Sequence, residues 1–160
     1  MKQIAWIISP PAKGSGGFRT ICSKASFLDS RGYENYFYIM PGCEAYKSAH
    51  RVQTEIKDWF GYSPKEVLVA PSVPEDFFAV IATAWNTAHF ASMQKCTYKF
   101  YFIQDFEPWF YPMGEMYLNA EASYRYELNP ITIGRWLSKK VEPYYSHEVP
   151  YCDFGVSDIY

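Results

Sequence analysis

The stretch QIAWIISPPAKGSGGFRT, residues 3–20, decides the fold. Its first part, residues 3–9, is a continuous apolar run of the kind that forms a buried strand. Residues 10–17 are rich in proline and glycine and predict a loop. Apolar residues then recur at helical spacing and predict a helix over 18–31. A strand, a glycine-rich turn and a helix therefore open the chain.

Strands and helices alternate along the rest of the sequence. Further strands are predicted at 33–40, 67–69, 77–83, 98–103, 131–133 and 148–154. Further helices are predicted at 44–60, 86–94, 113–127 and 135–142. Because the strands are continuous apolar runs, they indicate an α/β fold with a mostly parallel sheet and helices on both faces. Ligands of such sheets bind at the carboxyl ends of the strands, so the informative segments are 10–19, 40–46, 84–87, 104–112 and 134–136.

The composition excludes several classes of protein. The chain has 160 residues, of which 49% are hydrophobic, as expected for one folded domain. A net charge of −2 provides no basic field for a nucleic acid, so no nucleic-acid partner is expected. No apolar run approaches the roughly 18–20 residues of a membrane span, and the N-terminal run is too short for a secretory signal. We expect a cytoplasmic protein.

The four cysteines lie far apart in the sequence. Cys22, Cys43, Cys96 and Cys152 show no C-x-x-C pair, and no histidine stands near them at the spacing of a metal ligand. We therefore expect reduced thiols and no metal site.

The turn after the first strand predicts an anion-binding site. Gly14, Gly16 and Gly17 let the backbone approach a ligand, and the helix behind them offers free N–H groups and a positive dipole end. A sugar diphosphate would suit it. Arg19 stands where a dinucleotide fingerprint needs glycine, and Met40 where it needs an acidic residue. A dinucleotide-dependent oxidoreductase is therefore disfavoured, and a turn whose glycines serve geometry alone is the alternative.

The predicted strand 98–103 ends abruptly in polar residues. Asp105 and Glu107 are two apart, so an extended backbone would point both carboxylates the same way. Carboxylates accept hydrogen bonds from hydroxyl groups, and the interleaved aromatic rings can stack on sugars. The segment predicts carbohydrate contacts, with Asp105 as a candidate general base. A two-carboxylate glycosidase and a loop that caps a helix near residue 113 are the alternatives.

Trp85 and Asn86 follow another predicted strand and belong to the same edge of the sheet. Asn86 is a candidate both for ligand contact and for the N-cap of the helix 86–94. His50, His89 and His147 have no partner at nucleophile or metal spacing, and we expect them to be structural or superficial.

Several segments together resemble the N-terminal domain of GT-B glycosyltransferases of family 4. They are GGFRTI at 16–21, ATAWNTA at 82–88, YFIQDFEP at 101–108 and DFGVSDIY at 153–160. The likeness is greatest for bacterial rhamnosyltransferases that build surface polysaccharide and S-layer glycans. It extends over nearly the whole chain and rests on the order and spacing of the segments.

The resemblance implies a Rossmann-like three-layer sandwich over residues 1–160, the acceptor-side half of a GT-B fold. The donor-binding C-terminal domain would be absent, so this chain alone should be inactive. The complete enzyme would transfer a sugar, for example rhamnose from dTDP-rhamnose, to a glycan acceptor in cell-surface polysaccharide synthesis. It would need no metal and no cofactor besides its nucleotide-sugar substrate. Peripheral membrane association of the full-length enzyme is compatible with this role.

The resemblance also implies roles for individual residues. Gly16 and Gly17 would approach the donor phosphates, and Asp105 would be catalytic. The acceptor or sugar contacts would be Phe18, Arg19, Trp85, Asn86, Gln104 and Glu107. The alternative function is a non-catalytic Rossmann-like module that binds a nucleotide or a glycan.

Overall fold

A computed structural model describes residues 2–40 and 48–153. Within them lie strands β1 (Lys2–Ile8), β2 (Tyr33–Ile39), β3 (Glu66–Val69), β4 (Ala79–Ala82), β5 (Tyr98–Ile103), β6 (Asn129–Ile133) and β7 (Tyr151–Cys152). The α-helices are α1 (Gly16–Asp29), α2 (Ala49–Phe60), α3 (Trp85–Ser92), α4 (Glu115–Ala122) and α5 (Gly134–Val141). Short 3-10 helices are formed by Glu107–Phe110, Ser123–Arg125 and Glu142–Tyr144.

The seven strands form one parallel sheet in the order β3-β2-β1-β4-β5-β6-β7. The predicted α/β, Rossmann-like three-layer architecture is thereby confirmed. The direction of strand addition reverses between β1 and β4, which is the point where ligands of such sheets bind. All strands point the same way, so the loops after β1, β4, β5 and β6 meet at one edge.

The core has two layers, one on each face of the sheet. Alternate residues of β1 supply both layers: Trp6 faces α1 and α2, whereas Ile7 faces α3 and α5. The first layer takes Phe18, Ile21, Val52 and Ile56 from its helices. The second takes Ala88, Ala91, Leu137 and Val141. Each helix therefore buries one apolar stripe against the sheet.

A buried asparagine ties the first βαβ unit together. Asn35 is fully buried on β2 and accepts a hydrogen bond from Trp6 Nε1 at 2.7 Å. Its Nδ2 donates to the Ala25 carbonyl at 3.0 Å and to Asp29 Oδ1 at 2.8 Å. Tyr62 donates to the other oxygen of Asp29 at 2.8 Å. These bonds fix β1, β2 and α1 relative to one another.

The two helix starts at the ligand edge differ from the prediction. Helix α1 begins at Gly16, two residues earlier than predicted, because Ser15 Oγ caps it by accepting from Phe18 N at 3.2 Å. Helix α3 begins at Trp85, so Asn86 is its second residue and the prediction that Asn86 is the N-cap is wrong.

The predicted helix over 113–127 is divided. Helix α4 ends at Ala122, and a 3-10 turn follows at Ser123–Arg125. Ser123 Oγ donates back to the Ala120 carbonyl at 2.7 Å, a local bond that competes with the regular helix. Residues 44–47 of another predicted helix lie outside the described residues.

The cysteines of the described residues are free thiols. Cys22 and Cys96 are buried and Cys152 is partly buried, whereas Cys43 lies outside the described residues. Burial raises the pKa of the Cys22 thiol to about 12. Of the helices that the structure describes, none has the length and apolar content needed to cross a bilayer.

Candidate functional site

A cleft of about 510 Å³ opens at the carboxyl edge of the sheet. Its lining consists of Gly17, Thr20, Gln104, Asp105, Ile133, Gly134, Arg135, Trp136 and Leu137. Three residues predicted from the sequence, Gly17, Gln104 and Asp105, therefore meet in one cleft. They come together because the loops after β1 and β5 lie at the same edge of the sheet.

The first turn of α1 forms one wall of the cleft. Gly14 adopts a left-handed conformation with φ of 80°, which leads the chain into the Ser15 cap. Within the described residues, the amides of Gly16 and Gly17 have no hydrogen-bond acceptor. These free N–H groups and the positive end of the helix dipole favour an anion.

The backbone of Gly17 lies next to the side chain of Gln104. A Cβ atom at this position would lie 3.4 Å from Gln104 Oε1, whereas one at Gly16 would meet nothing within 4 Å. A Cβ atom at 17 would thus be in van der Waals contact with Gln104, and a branched side chain there would occupy space beside Gln104 in the cleft. Gly16 has no such constraint, which makes it a natural control.

Gln104 has an unused hydrogen-bonding group. Its Oε1 is buried and has no partner among the described residues. A buried polar atom without a partner costs free energy, and such atoms commonly mark the place of a missing water or ligand. A 180° turn of the amide would present a donor instead of an acceptor to the cleft.

Asp105 is exposed and lines the cleft. Its Oδ1 accepts from Phe106 N at 2.7 Å, which fixes the carboxylate on its loop. Its Oδ2 has no partner in the part of the chain that the structure describes. One oxygen of Asp105 is therefore held while the other can accept from a ligand.

Glu107 is buried, and its position corrects the expectation that it faces a ligand beside Asp105. Both carboxylate oxygens lie 3.1 Å from Trp85 N, and Oε1 also accepts from the Tyr101 hydroxyl at 3.0 Å. Glu107 thus caps α3, whose own N-cap residue, Ala84, lacks a side-chain acceptor. The alternative prediction, that this loop caps a helix, therefore applies to Glu107. The helix it caps is α3, however, and not one near residue 113.

The burial of Glu107 shapes its electrostatics. Burial raises the pKa of its carboxyl from an ordinary 4.5 to about 7, against the lowering effect of the hydrogen bonds from Trp85 N–H and the Tyr101 hydroxyl. With Glu107 only 8% exposed, Asp105 supplies the carboxylate among the residues that line the cleft. A two-carboxylate glycosidase, which needs both groups at the substrate, loses its support.

Phe18 also lies away from the position expected for a sugar contact. The ring is 6% exposed and packs against Phe37 and Phe60, with ring centroids 6.2 and 5.0 Å away. It anchors α1 on the sheet and is not available to stack on a sugar. Arg19, in contrast, is exposed and borders a separate groove together with Asp153.

Trp85 and Asn86 lie at the neighbouring switch point between β1 and β4. Asn86 is exposed, and its Oδ1 accepts from Ser9 Oγ at 3.2 Å. Trp85 Nε1 donates to the Tyr111 hydroxyl at 3.0 Å. These two predicted residues therefore lie at the switch point and not in the cleft lining.

The start of α5 forms the opposite wall of the cleft. Gly134 has φ of 73°, and no side chain caps the first turn of α5. The exposed guanidinium of Arg135 donates to the Tyr151 hydroxyl from Nη2 at 3.2 Å. A second positive helix end and a cation thus face the first helix end across the cleft. Segment 134–136 was expected at this edge, but no sequence motif identified Arg135.

Two exposed tryptophans lie side by side, and one of them lines the cleft. Trp136 belongs to the lining, and its ring centroid is 5.8 Å from that of Trp109. The two are 58% and 57% exposed. Lys140 Nζ lies 4.6 Å from the Trp109 ring and holds it by a cation–π contact.

Within residues 2–40 and 48–153, no three histidine, cysteine, aspartate or glutamate side chains are grouped as metal ligands. No protein-family model matches the chain, and no curated protein matches it. The role of the cleft must therefore be inferred from its own residues.

Proposed function

We propose that this chain is the acceptor-side domain of a GT-B glycosyltransferase that acts on a nucleotide-sugar. The observation that carries the proposal is the meeting of Gly17, Gln104 and Asp105 in one cleft. Each residue supports it by one feature. Gly17 belongs to a helix start that can bind an anion, Gln104 has an unpaired amide oxygen that can accept from a hydroxyl group, and Asp105 has a carboxylate that can accept a proton.

The diphosphate of the donor would lie between the starts of α1 and α5. The free amide of Gly17, which lines the cleft, and that of Gly16 just before it would bind one side, and Arg135 would neutralise charge on the other. Among the residues that the structure describes, Arg135 is the one basic side chain in the lining, so backbone N–H groups would carry much of the phosphate contact.

Asp105 would act as the general base. The acceptor hydroxyl oxygen would attack the anomeric carbon as the bond from that carbon to the diphosphate breaks, and its proton would pass to Asp105 Oδ2. The nucleotide diphosphate would leave with the bond electrons. A positioned base of this kind contributes typically about 10²- to 10⁴-fold to the rate.

The finer assignments follow the sequence resemblance alone. They comprise rhamnose as the sugar, dTDP-rhamnose as the donor, and a glycan acceptor in cell-surface polysaccharide synthesis. They also comprise a second, donor-binding domain and peripheral membrane association of the full-length enzyme. A chain with half of the catalytic site should bind ligand without turning it over. Glycosyl transfer by residues 1–160 alone would contradict the half-site proposal.

The pair Gly17→Val and Gly16→Val tests the binding site. The two changes cost α1 similar helix propensity, but only a side chain at 17 grows toward Gln104. We expect Gly17→Val to weaken binding of dTDP-rhamnose, UDP-glucose or GDP-mannose by about tenfold or more, equivalent to about 1.4 kcal/mol. Gly16→Val should change it about twofold at most, since that site is open. Isothermal titration calorimetry on the chain measures both.

Equal affinities for the two variants would contradict the site. No binding of any of the three nucleotide-sugars by the wild-type chain would contradict the phosphate role of α1. Binding of a free glycan without a nucleotide would instead favour the non-catalytic module.

A further inference from the structure

Half of one sheet face has no helical cover among the described residues. Helices α1 and α2 share a core layer with β1, β2 and β3, whereas α3 and α5 pack on the opposite face. The cause is the strand order. Right-handed crossovers place the helices on one face of the sheet as the chain adds strands from β1 to β3, and on the other face as it adds strands from β4 to β7. On the α1 side, no described helix therefore lies over β5, β6 and β7.

This half-face is apolar. Phe100, Phe102, Ile131 and Cys152 belong to the same layer as Trp6, and all of them except Phe102 and Trp6 are only partly buried. A groove of about 190 Å³ runs along the flank of α1, and Phe102, Ile131 and Cys152 of this half-face line it. An apolar sheet face normally packs against another layer, and a solvent-facing one of this kind marks an interaction site.

Helix α1 presents a second stripe toward the groove. Its buried stripe is Phe18, Ile21, Cys22 and Ala25. Lys24, Phe27 and Leu28 form another, at positions i, i+3 and i+4, and all three line the groove. Phe27 is 54% exposed. Side chains at this spacing form the ridge that a neighbouring helix packs against.

The groove is bordered by positive charge. Lys24 lies in its wall, and the Arg31 guanidinium sits 4.9 Å from the ring of Phe27, which also lines the groove. The nearby carboxylate of Asp29 is engaged by Asn35 and Tyr62. Asp153 borders the adjoining groove of Arg19, whose lining also includes Lys24. An acidic occupant would complement these cations.

We propose that this groove, between α1 and the open half-face of Phe100, Phe102, Ile131 and Cys152, docks an amphipathic helix. The occupant lies beside α1 with an apolar stripe on the sheet and acidic residues toward Lys24 and Arg31. It completes the helical layer that the topology leaves open. The docking surface is distinct from the proposed phosphate contacts at Gly16 and Gly17. The docking proposal can therefore be tested independently of the proposed function.

Two labelled helical peptides test the proposal. Each has about 18 residues, five turns, with the same leucine stripe, and the flanking residues are glutamate in one and lysine in the other. We expect the wild-type chain to bind the glutamate peptide about tenfold tighter, measured by fluorescence anisotropy. Lys24→Glu combined with Arg31→Glu should reverse this preference.

Phe27→Ser provides the apolar test, and Met93→Ser is its matched control. Both side chains are exposed, at 54% and 67%, so neither change disturbs the core, and circular dichroism checks the fold. Phe27→Ser should weaken binding of the glutamate peptide about tenfold, with Met93→Ser unchanged. Equal affinity for the two peptides, or equal effects of the two variants, would overturn the proposal. So would a dimer in light scattering that Phe27→Ser dissociates, since a second copy would then fill the groove.

Discussion

Two carboxylates close together in the sequence, Asp105 and Glu107, have different structural roles. Asp105 and Glu107 are two positions apart, yet one lies at the cleft and the other is buried under α3. An extended backbone would have placed both on one side, but the chain enters a 3-10 turn at Glu107. Glu107 accepts from Trp85 N, which is 22 residues away along the chain, so no local sequence pattern predicts this hydrogen bond.

Glu107 should make stability depend on pH. Its carboxyl binds a proton more tightly in the folded state, where its pKa is about 7, than at its ordinary 4.5. The stabilisation is fully present below pH 4.5 and is lost as the pH rises to 7, by about 3 kcal/mol at 1.36 kcal/mol per pKa unit. Glu107→Gln has no charge to desolvate at this position. Its unfolding free energy should therefore fall much less than that of the wild type as the pH rises from 4.5 to 7.

Urea unfolding at several pH values between 4.5 and 8 measures this dependence. Glu115→Gln, at an exposed position of α4, should keep the wild-type pH profile. Parallel profiles for Glu107→Gln and the wild type would show that the buried carboxyl is not the titrating group.

At the scale of elements, the apolar pattern predicted the sheet well and the helix ends less well. Continuous apolar runs predicted the parallel strands because both faces of the central strands are buried, and the predicted strand 98–103 has the bounds of β5. The start of α3 was missed because its cap comes from Glu107 on a distant loop. The contribution of α5 to the cleft was also missed, since it depends on β6 lying next to β5.

The side chain of Asn35 on β2 bonds to both β1 and α1, and its removal tests how much these bonds stabilise the packing of α1 on the sheet. Asn35→Ala would remove the acceptor of the buried Trp6 N–H, break the bonds to the Ala25 carbonyl and Asp29, and open a small cavity. We expect a loss of about 3 kcal/mol in unfolding free energy. Asn119→Ala on the exposed side of α4 should cost about 0.5 kcal/mol or less. A loss at Asn35 no larger than at Asn119 in urea titrations would contradict this role.

For the whole molecule, the strand order brings the loops after β1, β5 and β6 to one edge and so builds the cleft from distant segments. Part of this was predictable from the sequence, because the segments that follow parallel strands must share an edge. Which of them form a cleft, and which, like Trp85 and Asn86, lie at the neighbouring switch point, depends on strand order. That order is set by packing among all the elements.

The most direct test of the central claim is a two-dimensional ¹H–¹⁵N NMR titration of the chain with dTDP-rhamnose. We predict that the largest shifts occur at the amides of Gly16, Gly17 and Arg135, with further shifts at the Gln104 side-chain amide and Trp136 Nε1–H. Shifts confined to Ser9, Trp85 and Asn86 at the switch point, or no shifts at saturating nucleotide-sugar, would contradict it.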